Sequence, residues 1–260
     1  MRNYDANREF YETPGVPEMF GSDAGLFPAE EMILTYLKNE LRNQPILDIG
    51  VGGGRTTPHL LRISGDYVGI DYSEIMIRLC RARMPEVAFE VCDARDLSRF
   101  ESDRFAAVFF SWNGIDSVSP EDRGRVLREV NRVLRRDGAF VFSAHNLDWW
   151  NRRELRLIRR LSLSPSPMKL YRLNKGPIKV YAASLIRRLK HKFHNPEQAM
   201  ILEYEQFIVL PIYYIRQEEQ LRQLSEFGFS KVVTVGADGR LFDEYSRAND
   251  YLLHYVARKE

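Results

Sequence analysis

The stretch Ile46-Leu47-Asp48-Ile49-Gly50-Val51-Gly52-Gly53-Gly54 constrains this chain more than any other. A short apolar run carrying one acid breaks directly into glycines, and a helical pattern follows at once. Glycines at 50, 52 and 54 remove side chains where a backbone must swing sharply and approach a ligand closely. A helix beginning near Arg55 would aim unpaired N–H groups and the positive end of its dipole at the same place. Strand, glycine turn and helix in that order predict a nucleoside-type ligand at the carboxyl end of the first strand of an open α/β sheet.

Spacing separates the known glycine-rich loops. A dinucleotide fingerprint needs glycine where Arg55 stands, and a P-loop needs a closing Gly-Lys-Ser/Thr that is absent here. The pattern is instead acid-x-Gly-x-Gly-x-Gly, with a further acid, Asp71, after Tyr67-Val68-Gly69-Ile70. A third acid, Asp93, follows the strand-like run from Val87 to Cys92.

This ordered set resembles motif I and its companion acids in the class I S-adenosylmethionine-dependent methyltransferases. The likeness extends over about residues 43–145 and again over about 213–258. It implies S-adenosyl-L-methionine as cofactor and S-adenosyl-L-homocysteine as product. Asp48 and the turn through Gly50, Gly52 and Gly54 would then meet the methionine part, and Asp71 would accept hydrogen bonds from the ribose hydroxyls. Tyr72 and Met76 would flank the adenine, Asp93 would take its amino group, and the Ala94 backbone would read the ring edge. At the end of strand four, Ser111, Trp112 and Asn113 fall where the family places residues beside the transferable methyl. Trp112 is equally readable as core. The Asp/Asn-Pro-Pro-aromatic signature of DNA amino-methyltransferases is missing there, as is the strand-end aspartate of aminopropyl transferases.

His145, at the end of strand five, is the candidate general base: a neutral imidazole there could remove a hydroxyl proton as the methyl arrives. A structural histidine bonded to loop backbone is the alternative. Tyr11 is a candidate for closing over the sulfonium or, more plainly, a packing anchor. No metal set is predicted, because His191 and His194 stand without cysteine partners and no carboxylate cluster is evident.

Five β-then-α units in succession predict a doubly wound, mostly parallel seven-stranded α/β sheet, with a basic insertion after strand five. Within it, Phe105 to Ser111 is apolar enough for a central strand buried on both faces. Ser119-Pro120-Glu121-Asp122 is a helix start, with a hydroxyl cap, proline in the first turn and acids beside the dipole. The divisions read as 1–42, a cap over the cofactor cleft; 43–147, the cofactor-binding core; 148–212, a basic acceptor lid; and 213–260, the rest of the core sheet. Between Asp148 and Pro196, thirteen Lys or Arg face two acids, so the rest of a chain of net charge +2 is acidic. Basic amphipathic helices over Trp149–Leu163 and Tyr181–Phe193 would suit an anionic acceptor, an acidic membrane surface or docking on the acidic framework. Nucleic acid has charge in its favour but no recognised motif.

The amino terminus has no apolar core of the secretion-signal kind, and Cys80 and Cys92 read as buried free thiols, which together place the protein in a reducing cytoplasm. The function predicted is methyl transfer to a small-molecule or sugar-like acceptor, at oxygen before nitrogen. The alternatives are a non-catalytic cofactor- or RNA-binding module and a protein or RNA methyltransferase.

Overall fold

The computed structural model describes residues 11–13, 25–151, 197–205, 208–242 and 250–260. In chain order the elements are α1 (Pro28–Leu37), β1 (Ile46–Ile49), α2 (Thr57–Leu61), β2 (Tyr67–Asp71), α3 (Glu74–Arg83), β3 (Phe89–Val91) and β4 (Phe105–Phe110). A 3-10 turn (Gly114–Ser117) follows, then α4 (Pro120–Val133), β5 (Leu134–Asn146), β6 (Gln198–Glu205), β7 (Ile208–Ile215), α5 (Gln217–Glu226), β8 (Phe229–Gly236), β9 (Leu241–Phe242) and β10 (Leu252–Lys259).

The strands run in the order β3-β2-β1-β4-β5-β10-β8-β9. Strands β1 to β5 pair in parallel, while β10 enters antiparallel between β5 and β8. The expected seven strands are the run from β3 to β8. Three more are present among the described residues: short β9, and a β6–β7 hairpin that continues the sheet beyond the tip of β4 by pairing Tyr214 and Ile215 with His145 and Asn146. The stretch from Met200 to Arg216 is strand-like in sequence. In the structure it falls into two antiparallel strands, and the two residues between them include no Gly or Pro to announce the break.

Apolar patterning explains why these segments settle here. All six residues of β4 are buried, as expected of a parallel strand covered on both faces. On α4, Val126, Leu127, Val130 and Val133 are fully buried, each contributing about 1.5–3 kcal/mol. Ser119 starts that helix with its Oγ accepting the Asp122 N–H at 3.1 Å. One apolar layer holds Leu47, Ile49, Val108, Phe140 and Phe142 with α4 and α5; the other holds Ile46, Ala107, Phe109 and Val141 with α1 and α3.

The helix expected from Arg55 is a departure. It spans only Thr57–Leu61, with no side-chain cap, and Ser64-Gly65 follow soon after. So short a helix carries little dipole, so any grip on a ligand here must come from the glycine backbone and the strand-tip acids. The arginine-rich amphipathic helices and the anionic or membrane contact expected of them lie on 152–196, outside the described residues. Among the described residues no helix is long and apolar enough to cross a membrane.

Candidate active site

The tips of β1 and β2 are joined through one carboxylate. Asp71 Oδ2 accepts the Gly52 N–H at 3.0 Å, and Oδ1 accepts the Ser73 N–H at 2.9 Å. Each oxygen keeps a second lone pair. Burial pushes Asp71 up to about 6, with the two backbone donors pulling the other way. Gly52 itself has φ +52°, and a Cβ built on it meets nothing within 4 Å, so the turn faces open space.

Asp48, 1% exposed on β1, braces the turn from behind. Its Oδ2 accepts the Thr56 hydroxyl at 3.0 Å and the Tyr67 hydroxyl at 2.9 Å. Burial lifts it to about 7, partly offset by those two hydroxyls. Its Oδ1 has no donor among the described residues. Gly54 is placed differently, since its Cβ would come within 2.7 Å of Met84 Cε and 3.3 Å of Cys80 Sγ; the methionine end can swing away, and it is the φ of +81° that favours a glycine there.

Tyr72 is half-buried just past β2, and Met76 is 2% exposed in the first turn of α3. Asp93 lies past β3 with its carboxylate held by Arg95, through the backbone N–H at 2.9 Å and the guanidinium at 2.7–3.1 Å. Arg95 also reaches Asp122 at 2.9 Å. Ala94 is buried beside it.

The tip of β4 is strained. Trp112 and Asn113, consecutive non-glycine residues, both adopt positive φ, at +52° and +56°, which costs on the order of 1–3 kcal/mol each. The Asn113 N–H donates to Ser143 Oγ at 2.9 Å, and buried Asn113 Oδ1 has no partner among the described residues. Trp112 is 49% exposed, which overturns its reading as core. Its ring packs on Phe27 at 5.0 Å, and the Arg55 guanidinium lies 4.9 Å from both rings. Arg55 is also bound by both oxygens of Glu30, at 2.6 and 2.7 Å, so the start of α1 is clasped to the residue after the glycine turn. Phe110 ties the two tips together. A Cβ on Gly50 would lie 2.9 Å from its ring, and one on Gly114 2.1 Å.

At the tip of β5, His145 is 7% exposed. Its Nδ1 faces Asp116 Oδ2 at 2.8 Å, and the same oxygen accepts its backbone N–H at 2.7 Å. The partner is thus a carboxylate, where sequence had offered only loop backbone as the alternative. Strand alternation puts His145 on the face of Val141 and Ser143. On that face a cavity of about 370 Å³, counting its open mouth, is lined by Glu30, Thr56, Ser111, Phe109, Ser143 and His254. Burial holds the His254 imidazole below its usual value, and its Nδ1 has no partner among the described residues. Tyr11 is half-buried, with 1–10 and 14–24 on either side outside the described residues.

Asp116, Arg55 and His254 were not singled out in sequence. A single acid in Gly114-Ile115-Asp116-Ser117 was the only sign of the first, and the apolar run Leu252-Leu253 to Ala257 around it hides the last. Both cysteines are buried and free. Among the described residues no group of three or more His, Cys, Asp or Glu is arranged to hold a metal.

The residues fit an adenosyl sulfonium with an amino-acid tail: a side-chain-free turn open at Gly52, an oriented carboxylate for a diol, and an undonated carboxylate oxygen on Asp48 for an ammonium. Residues 46–138 match the Methyltransferase domain family. The chain is 32% identical over 149 residues to a demethylmenaquinone methyltransferase of Thermotoga maritima, taking in 54% of this chain and 59% of the relative. It is 30% identical over 117 residues to a magnesium-protoporphyrin O-methyltransferase of Rhodobacter capsulatus, covering 43% of this chain and 50% of the relative. The chain therefore spans only half to three-fifths of the length of these relatives. The magnesium protoporphyrin IX methyltransferase of Synechocystis PCC 6803, solved with bound cofactor, matches with a TM-score of 0.59 at 12% identity, covering 100% of this chain and 98% of that one. Residues 46–138 thus match a methyltransferase domain family, and the chain carries them on the fold of solved S-adenosylmethionine-dependent methyltransferases.

Proposed function

We propose that the protein transfers a methyl group from S-adenosylmethionine to a hydroxyl of a small-molecule or sugar-like acceptor, with His145 taking the proton. The observation that carries this reading is the His145–Asp116 contact at the tip of β5. A carboxylate on Nδ1 orients an imidazole and stabilises it once it is protonated, which is what a base needs as the acceptor oxygen loses its proton. One relative is named for O-methylation. The cofactor, when bound, supplies an electrophilic methyl on sulfur, and the remaining work belongs to the chain.

In this reading Asp71 holds the ribose, Asp48 Oδ1 and the Gly50–Gly52 backbone hold the methionine tail, and Tyr72, Met76, Ala94 and Asp93 surround the adenine. Asp93 offers the adenine amino group only a second lone pair, since Arg95 already donates to both of its oxygens. Ser111, Trp112 and Asn113 form the wall beside the reacting centre, and the Arg55–Glu30 clasp with Phe27 and Trp112 excludes water from its mouth. Residues 148–212 form the acceptor side, where the positive charge of 148–196 favours an acceptor bearing phosphate or another anion, free or lipid-linked.

The test is His145→Ala, with acceptors found by a labelled-methyl screen of hydroxylated metabolites. Turnover should fall about 10²–10⁴-fold while affinity for S-adenosylhomocysteine is unchanged. Undiminished turnover removes His145 as the base.

A further inference from the structure

Behind Asp116 lies a polar chain that neither packing nor stability accounts for. Asp116 and Arg123 are both 0% exposed, and Arg123 Nη1 donates to Asp116 Oδ1 at 2.7 Å and to the Ile115 carbonyl at 3.1 Å. Its Nη2 donates to Gln220 Oε1 at 2.5 Å and its Nε to Gln223 Oε1 at 3.0 Å, while the guanidinium lies 4.6 Å from the Tyr213 ring centre. Four elements therefore converge on one side chain: the 3-10 turn, α4, α5 and β7.

A buried ion pair is a weak source of stability, since apolar residues of similar volume do as well or better. Gln220 makes the point more sharply. It is 0% exposed, and its Nε2 has no partner among the described residues, a loss of about 1–3 kcal/mol that a methionine would avoid. Such local violations with no packing gain mark residues kept for a site. What the chain achieves is orientation. Asp116 is an acceptor on both oxygens, toward Arg123 on one side and toward the His145 backbone N–H on the other, so it has no proton to give. The ring nitrogen facing it must then be the donor.

We propose that Arg123, itself held by Gln220 and Gln223, is a positioning residue that locks Asp116 and through it fixes His145 as the Nδ1–H tautomer, with Nε2 left bare to accept a proton. No hydrogen bond to Nε2 is formed among the described residues. The proposal rests on the base reading of His145 but is tested separately from it.

The experiment is nitrogen-15 NMR of the imidazole rings in the whole protein with S-adenosylhomocysteine, His145 being assigned by loss of its signals in His145→Gln. The native protein should show His145 with a pyrrole-type Nδ1 and a pyridine-type Nε2. Arg123→Lys keeps the charge but cannot reach four acceptors, and should draw the two lines toward each other while the homocysteine product still binds with native affinity. Should that variant not fold, Gln220→Met takes its place and should move the lines the same way by less. A native His145 protonated on Nε2, or unshifted lines in whichever folded variant is used, overturns the proposal. Unshifted lines together with loss of turnover in His145→Ala would leave the base reading standing without Arg123; unaltered turnover in His145→Ala would remove the base reading alone.

Discussion

The two halves of the cleft are built by different means. At the tips of β1 and β2 the site is made of backbone: a glycine turn, and a carboxylate that bonds N–H groups 19 and 2 residues away. At the tips of β4 and β5 it is made of buried side chains that reach 29 residues from Asp116 to His145 and 97 from Arg123 to Gln220. In the function proposed above, the first half would hold a ligand whose shape is fixed by the reaction class, and the second would suit one particular acceptor; long-range side-chain contacts can be changed without disturbing the turn.

Breaking the first half alone should give the largest effect. Asp71→Ala is expected to weaken S-adenosylhomocysteine binding about 100-fold by calorimetry, from the loss of charge-assisted bonds worth roughly 1.5–3 kcal/mol each. The ring-nitrogen signals of His145 should not move. If they do, the halves are not independent.

The one ring the halves share offers a sharper probe. Gly114→Ala would press a methyl into Phe110 and should destabilise the protein by about 1–3 kcal/mol in urea unfolding. Phe110→Leu in the same chain should recover much of that loss, giving a coupling of on the order of 1 kcal/mol. Simple additivity would show that the turn yields instead.

A smaller effect should separate the two acids of the cofactor half by pH. Burial raises Asp48 to about 7 from 3.8, so the fold favours its protonated form; stability is fullest below pH 4 and is lost as pH rises through 7. Asp71 is raised to about 6 and must be ionised to accept from hydroxyls, so cofactor affinity should fall about fivefold between pH 6 and 5. Thermal melts of the ligand-free protein should therefore drop from pH 5 to 8 while the increment from bound S-adenosylhomocysteine grows. Asp48→Asn should flatten the first trend above pH 6 and remove the Asp48 share of the second, leaving the share that follows Asp71; a melt independent of pH would show that the Asp48 charge is better solvated than its burial implies.

The same contrast explains what could be read before any coordinates. The order of the parallel strands and their helices, the Ser119 cap and the three strand-tip acids follow from periodicity and local chemistry, which sequence displays directly. The length of α2 did not, because a single turn of helix and a long one begin with the same residues. Trp112 was ambiguous because an aromatic after a strand suits core and rim alike, and only the Arg55 guanidinium across from it decides. Asp116, Arg123 and Gln220 obey no common period, so nothing in the chain announces that they meet. Their pairing is a property of the folded sheet.

The β6–β7 hairpin has one more consequence. Gln198 pairs with Ile215 and Ile215 with Asn146, so two strand spacings, about 10 Å, separate the last residue of β5 from the first of β6. An Asp148–Arg216 ion pair at 3.0 Å fastens the same neck. The chain thus leaves the sheet at the end of β5 and re-enters it at the start of β6 through one narrow socket, although the two ends lie some fifty residues apart in sequence. A lineage could exchange or shorten the segment between them while every described strand kept its partner, which makes this connection the part of the architecture most open to replacement.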